Sequence, residues 1–114
     1  MPYLKILTNL PLSRKAEKAI LKNASALVAE QLEKPESYVM VAVEADTPML
    51  FAGSDDPVAF LELKSVGLSA KRTKALCESL CQLVEGHLGI PADRVYVKFI
   101  DVSRAMWGWK GDTF

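Results

Sequence analysis

The sequence predicts an α+β fold in which two βαβ units form a four-stranded mixed sheet with two helices on one face. Three observations carry that reading. The chain repeats itself at an offset of 56 residues: Ser13 matches Ser69, Pro35 matches Pro91, and Ile20, Leu27, Val28 and Leu32 fall on Leu76, Leu83, Val84 and Leu88. Beyond the prolines, Val39, Val41 and Val43 fall on Val95, Val97 and Phe99. Within each unit the apolar spacing runs from two to three-and-four and back to two, the pattern of strand, helix and strand. Finally, 114 residues make one domain over 1–114, with pseudo-repeats at about 2–45 and 59–101.

Each element has its own local cause. Residues 3–8 read as the first strand, and Ser13 as the N-cap of a helix over 14–33. Ala16, Ile20, Ala24, Leu27, Val28 and Leu32 form one apolar stripe on that helix. Pro35 ends it, and the β-rich run 38–45 follows. Thr47, Pro48 and the Gly and Asp residues up to Pro57 mark a connecting loop, in which Met49, Leu50 and Phe51 could add a short strand. In the second unit 59–66 is the strand, Ser69 the expected cap, and the helix runs to Leu88 before Gly89. Residues 94–101 form the last long strand.

Two βαβ units with right-handed crossovers place both helices on one sheet face and leave the other open. Tyr38, Met40 and Ala42 alternate with Val39, Val41 and Val43, so this strand is apolar on both sides. Tyr96 and Ile100 repeat the pattern less cleanly against Val95, Val97 and Phe99. A small domain with such strands calls for another chain over the open face, and an obligate oligomer is expected.

Composition excludes several classes. Lys plus Arg equals Asp plus Glu at 14 each, so no net charge draws the chain to nucleic acid or a membrane surface. No apolar run approaches the roughly 18 residues of a bilayer span, and Lys5 interrupts the very short apolar start a signal peptide would need. A cytoplasmic protein is the expectation. Cys77 and Cys81 lie four apart on one helical face, where they read as small apolar residues rather than metal ligands or a disulfide. His87 is the only histidine, which excludes a multi-histidine metal site, and it reads as a surface residue at a helix end. No cofactor is expected.

Pro2 follows the initiator methionine, the pattern that methionine aminopeptidase trims. Trimming leaves a secondary amine, somewhat more basic than an ordinary α-amino group at about 7.7–8.0. An apolar pocket and a neighbouring ammonium both lower such a pKa, and a base near neutrality suits proton transfer to and from carbon. A strand-initiating proline with no chemistry is the plain alternative.

Taken with later segments, Pro2 gives the chain a resemblance to the macrophage migration inhibitory factor family of the tautomerase superfamily. The resemblance runs through Met1-Pro2, Thr8-Asn9-Leu10-Pro11, Lys34-Pro35 with Tyr38, and Phe51-Ala52-Gly53-Ser54 to Pro57. It continues through Ser65-Val66-Gly67, Asp93-Arg94-Val95-Tyr96, Gly108-Trp109 and Asp112-Thr113-Phe114. It implies a homotrimer with the sheets facing a central channel and sites at the subunit boundaries. It also implies Pro2 as catalytic base, Lys34 as the cation for the substrate's carboxylate or carbonyl, and a backbone N–H from Val66, which follows Ser65. Tyr96 of a neighbouring chain lines the pocket, and Tyr38, Trp109 and Phe114 form its aromatic wall. The implied activity is keto–enol tautomerisation of phenylpyruvate-like 2-keto acids or dopachrome. The alternative is a cytokine-like binding protein, released without a signal peptide, that keeps the fold; no receptor can be read from the sequence.

Departures from the family accompany the matches. Val58, Ala59, Phe60 and Leu61 stand where the mammalian cytokine has Cys-x-x-Cys, so its thiol oxidoreductase activity does not transfer. Lys64 replaces a pocket histidine, Lys98 an asparagine, and Trp107 a small aliphatic residue. Dehalogenation or decarboxylation of small acids leans on extra pocket arginines, and neither Arg14, Arg72, Arg94 nor Arg104 has an assignable place there.

Overall fold

A computed structural model describes residues 1–114. Strand β1 (Pro2–Thr8) leads to helix α1 (Arg14–Leu32) and strand β2 (Met40–Glu44). Strand β3 (Ala59–Val66) leads to helix α2 (Thr73–Leu88) and strand β4 (Val95–Val102). A small hairpin of β5 (Gly108–Trp109) and β6 (Asp112–Thr113) closes the chain. The sheet order is β2-β1-β3-β4. Each βαβ unit supplies a parallel pair, and the units join through the antiparallel pair β1–β3, with Pro2 opposite Ser65 and Thr8 opposite Ala59.

The buried side of the sheet follows from the period of two. Leu4 and Ile6 of β1 and Leu61 and Leu63 of β3 are fully buried under Ile20, Ala24 and Val28 of α1 and Leu76, Leu80 and Val84 of α2. Each such leucine or isoleucine contributes about 1.5–3 kcal/mol by leaving water. The opposite face is uncovered within the chain: Met40 is 65% exposed and Tyr96 60% exposed. Across it run three rows, Met40-Tyr3-Lys64-Ile100, Ala42-Lys5-Glu62-Lys98 and Glu44-Leu7-Phe60-Tyr96. Its outer rows are mostly apolar, with Lys64 in one and Glu44 in the other, and its middle row is mostly charged. No helix is long and apolar enough to cross a membrane.

Four local expectations change. Tyr38 lies in a 3-10 turn (Glu36–Tyr38) and not in the strand, which begins at Met40. The carbonyl of Pro35 accepts the Tyr38 N–H at 3.1 Å, and this tight turn outweighs the β propensity of the run. Helix α1 ends at Leu32, because Glu33 adopts a left-handed conformation at φ 54°. That reversal lets the Lys34 N–H reach back to the Ala29 carbonyl at 3.0 Å. The third change concerns Met49, Leu50 and Phe51, which form no strand; only a bridge between Phe51 and Ser54 remains.

The two repeat-related serines are the fourth case. Ser13 caps α1, its hydroxyl oxygen accepting the Ala16 N–H at 3.1 Å. Ser69 instead accepts the Lys71 N–H at 3.2 Å and starts a 3-10 turn (Ala70–Arg72), so α2 begins later, at Thr73. Ser13→Ala is expected to destabilise the protein by about 1 kcal/mol. Ser69→Ala should cost less, since it removes the cap of a single 3-10 turn. Urea denaturation of both variants at one fixed protein concentration checks the order, and equal losses would contradict it.

Candidate active site

The site forms where β1 begins, at the edge where β3 and β4 end. Pro2 is buried and opposes Ser65, which in turn opposes Asp101. Lys34 arrives from the other side. The left-handed Glu33 swings the chain off α1, and the Lys34 ammonium donates to the Val66 carbonyl at 3.0 Å. Its charge is therefore held at the end of β3 as well as near the helix C-terminus. Ser65 is fully buried, with its hydroxyl 3.4 Å from the same Val66 carbonyl. Gly67, at φ 70°, turns the chain away after β3, a conformation that glycine adopts without Cβ strain. The Asp101 carboxylate fixes that turn by accepting the Leu68 N–H at 3.0 Å.

The N-terminal amine meets this cluster. With Met1 in place the amine belongs to Met1, and Pro2 N is a tertiary amide. Burial lowers the pKa of the amine from 8.0 to about 6, helped by the charge of Lys34 and a hydrogen bond with it. Desolvation and a neighbouring cation both disfavour the ammonium form, so much of this group is a free base at neutral pH.

Next to the amine lies a largely apolar cavity of about 470 Å³, lined by Met1, Pro2, Tyr38, Met40, Trp107 and Trp109 among others. Tyr38 meets Trp109 edge-on at 5.4 Å, and Phe114 stacks on the far side at 6.2 Å and 7°. Phe114 thus contributes by backing Trp109. Two bonds hold the tail in shape: the Phe114 N–H reaches the Trp107 carbonyl at 3.2 Å, and Arg104 Nε donates to the main-chain oxygen of Phe114 at 3.2 Å. Lys110 places its ammonium 4.6 Å from the centre of the Trp109 ring.

The residues singled out in the sequence thus fall into two clusters and one outlier. Pro2, Lys34, Ser65 and Val66 meet at the amine, and Tyr38, Trp109 and Phe114 meet in the tail. Tyr96 stands apart within the chain, at the opposite end of the sheet, paired with Phe60 and edge-on to Phe51 at 4.8 Å. Sequence reasoning left Trp107 without a role, yet it lines the apolar cavity. It also gave none of the four arginines a position. Arg94 is structural, donating to the carbonyls of Phe51, Ser54, Pro57 and Asp56. Arg72 binds the Gln31 carbonyl and Glu33. Arg104 alone of the four lines a second cavity, of about 560 Å³, shared with Lys34 and Val66. Nothing local in the sequence marks it, because the cavity is built from segments far apart in the chain.

The remaining reactive groups stay away from this site. Cys77 and Cys81 are free, half-buried thiols on α2, and burial, then its neighbour Cys77, pushes the Cys81 thiol up. His87 is exposed in the last turn of α2.

Comparison with known proteins identifies the family and the fold. The family model described as "Macrophage migration inhibitory factor (MIF)" matches residues 1–114. A macrophage migration inhibitory factor homolog of Brugia malayi is 41% identical over 115 residues, covering 100% of this chain and 99% of the relative. The macrophage migration inhibitory factor of Mus musculus is 34% identical, with 100% of this chain and 99% of the mouse protein covered. Among solved structures, a homologue from Prochlorococcus marinus superposes with a TM-score of 0.93 at 41% identity, covering 98% of each chain. A full-length family match, relatives above 30% identity and a shared fold all agree: this chain belongs to the macrophage migration inhibitory factor family.

Proposed function

We propose that the protein is a keto–enol tautomerase acting on phenylpyruvate-like 2-keto acids, with the amine of Pro2 as its base once Met1 has been removed. The observation that carries this reading is an N-terminal amine desolvated beside Lys34 at the edge of an aromatic cavity. Removing Met1 carries the free amine one residue along, to the nitrogen of Pro2. The neutral amine takes the enol O–H proton and delivers it to C3, while the C2–O bond becomes a carbonyl and the C2–C3 double bond becomes single. Atoms and charge balance, as an isomerisation requires. Lys34 neutralises the negative charge that develops on the oxygen, and the Val66 N–H adds a neutral donor. The phenyl ring occupies the slot of Tyr38, Trp107 and Trp109.

The functional unit in this reading is a homotrimer. The uncovered sheet face supports it, and so does the position of Tyr96, too far along the sheet to reach Pro2 of its own chain. Its ring, 60% exposed at a sheet edge, is available to a neighbour's cavity. Sedimentation at micromolar concentration is expected to give one trimeric species, and a monomer would end this part of the proposal. Ketonisation of phenylenolpyruvate by the trimmed protein is the test of the activity. A wild-type rate equal to buffer would refute the enzyme reading and leave the cytokine-like one.

A further inference from the structure

Two cations without an Asp or Glu partner share the wall of one cavity. The side-chain ion pairs of the chain are Lys5–Glu44 and Arg72–Glu33, and neither includes Lys34 or Arg104. Both line the cavity of about 560 Å³ at the ends of β3 and β4. Lys34 uses one of its N–H donors on the Val66 carbonyl. Arg104 uses only Nε, on the main-chain oxygen of the last residue, Phe114, which leaves both terminal nitrogens of the guanidinium free for a ligand. The one carboxylate on this wall is Asp101, already accepting the Leu68 N–H, and the formal charge of the lining stays positive.

The placement follows from one short turn. The 3-10 turn Arg104–Met106 leads straight into Trp107. Trp107 therefore lines the apolar cavity while Arg104 lines the cationic one, whose wall also includes Lys34. A planar guanidinium with an unspent edge binds a carboxylate in fork geometry far better than it binds water.

We infer that Arg104 holds a second carboxylate where the substrate has one, so that the site takes short-chain 2-oxo dicarboxylates in addition to phenylpyruvate-like acids, with Lys34 on the α-carboxylate and carbonyl. This rests on the reading of Pro2 and Lys34 as the reacting pair. The specificity test compares enol-oxaloacetate with phenylenolpyruvate in wild type, Arg104→Ala and Arg104→Lys. In Arg104→Ala the preference for the diacid, taken as a ratio of kcat/KM values, is expected to fall about tenfold or more, chiefly through KM. Arg104→Lys should recover part of it. Loosening of the Phe114 tail would act in the opposite direction, since it damages the slot of the phenyl substrate. An unchanged or increased preference overturns the inference.

A second readout does not depend on turnover. Calorimetric binding of the unreactive diacid glutarate should weaken about tenfold in Arg104→Ala and fall with added salt. If wild type turns over neither enol while glutarate binding still requires Arg104, the anion subsite stands and the tautomerase reading falls. If phenylenolpyruvate is turned over but Arg104→Ala changes neither readout, the subsite falls and the tautomerase reading stands.

Discussion

A protein with a short uncleaved extension ahead of Pro2 is expected to lose about 10²–10⁴-fold in kcat/KM for phenylenolpyruvate relative to the trimmed chain. Two effects act together. The extension acylates the proline nitrogen, whose lone pair is then delocalised into an amide and accepts no proton. It also occupies the apolar cavity that Met1 itself lines. Pro2→Gly, trimmed, is a milder change, because a primary amine remains but loses the ring that fixes it at the start of β1. An intermediate loss is expected there. Intact-mass measurement must show the trimmed and extended termini in the samples compared. Equal rates for the extended and trimmed proteins would remove the N-terminal amine from the mechanism, and equal rates for Pro2→Gly and wild type would remove the ring.

Lys34→Ala is expected to lower kcat/KM by about 10–100-fold and to shift its pH dependence upward. The loss reflects one charge-assisted hydrogen bond to an oxygen that gains negative charge in the transition state. The sign of the pH effect follows from the amine. Burial and then the Lys34 charge hold the N-terminal amine below its ordinary value, to about 6 in the Met1 chain. The base is the neutral form, so activity rises as pH passes the amine's pKa. Removing Lys34 deletes its charge and its hydrogen bond and leaves burial as the depressing cause, so the rise moves toward the ordinary range of about 7.7–8.0. An ascending limb at the same pH in both proteins would show that Lys34 does not act on the amine. Folding of the Met1 chain should show the linked effect. Between the folded value of about 6 and the ordinary 8.0 the unfolded state binds more protons, so stability rises with pH across that window and is lost as pH falls through it.

These two variants also separate the pieces of the proposal. A trimmed terminus that matters while Lys34 does not would leave the proline as a base with another oxyanion partner, the Val66 N–H. The reverse result would keep Lys34 as the oxyanion partner of a tautomerase whose base is not the N-terminal amine. Arg104 enters neither experiment, so the diacid inference stands or falls on its own measurements.

Local periodicity made much of the architecture legible. Leu4 and Ile6, and Leu61 and Leu63, are buried at alternate strand positions. Of the helical stripes, Ile20, Ala24, Val28, Leu32, Leu76 and Val84 are buried as the spacing predicts, and Ala16, Leu27, Leu83 and Leu88 are half-buried. Side-chain direction in a strand or helix is set by a backbone period that the sequence carries directly. The open sheet face followed from the same period, and Met40 and Tyr96 are indeed exposed on it. The family resemblance supplied the residues of the site, which periodicity alone could not have selected. Sequence also misplaced what depends on a single turn: Tyr38 in its 3-10 turn, the delayed start of α2 after Ser69, and the end of α1 at the left-handed Glu33.

By itself, then, the sequence determined two βαβ units, which face of each is buried, and a proline with the potential to become a base. Tertiary structure alone decided how the units join, through the antiparallel pairing of β1 with β3 that sets Pro2 against Ser65. It alone brought Lys34 to the Val66 carbonyl 32 positions along the chain, and Arg104 to the same cavity. The physical reason is range. A strand or helix is specified by neighbours a few residues away, whereas a charge acts on an amine only when packing removes the intervening water and closes the distance. Such contacts leave no periodic trace in the chain.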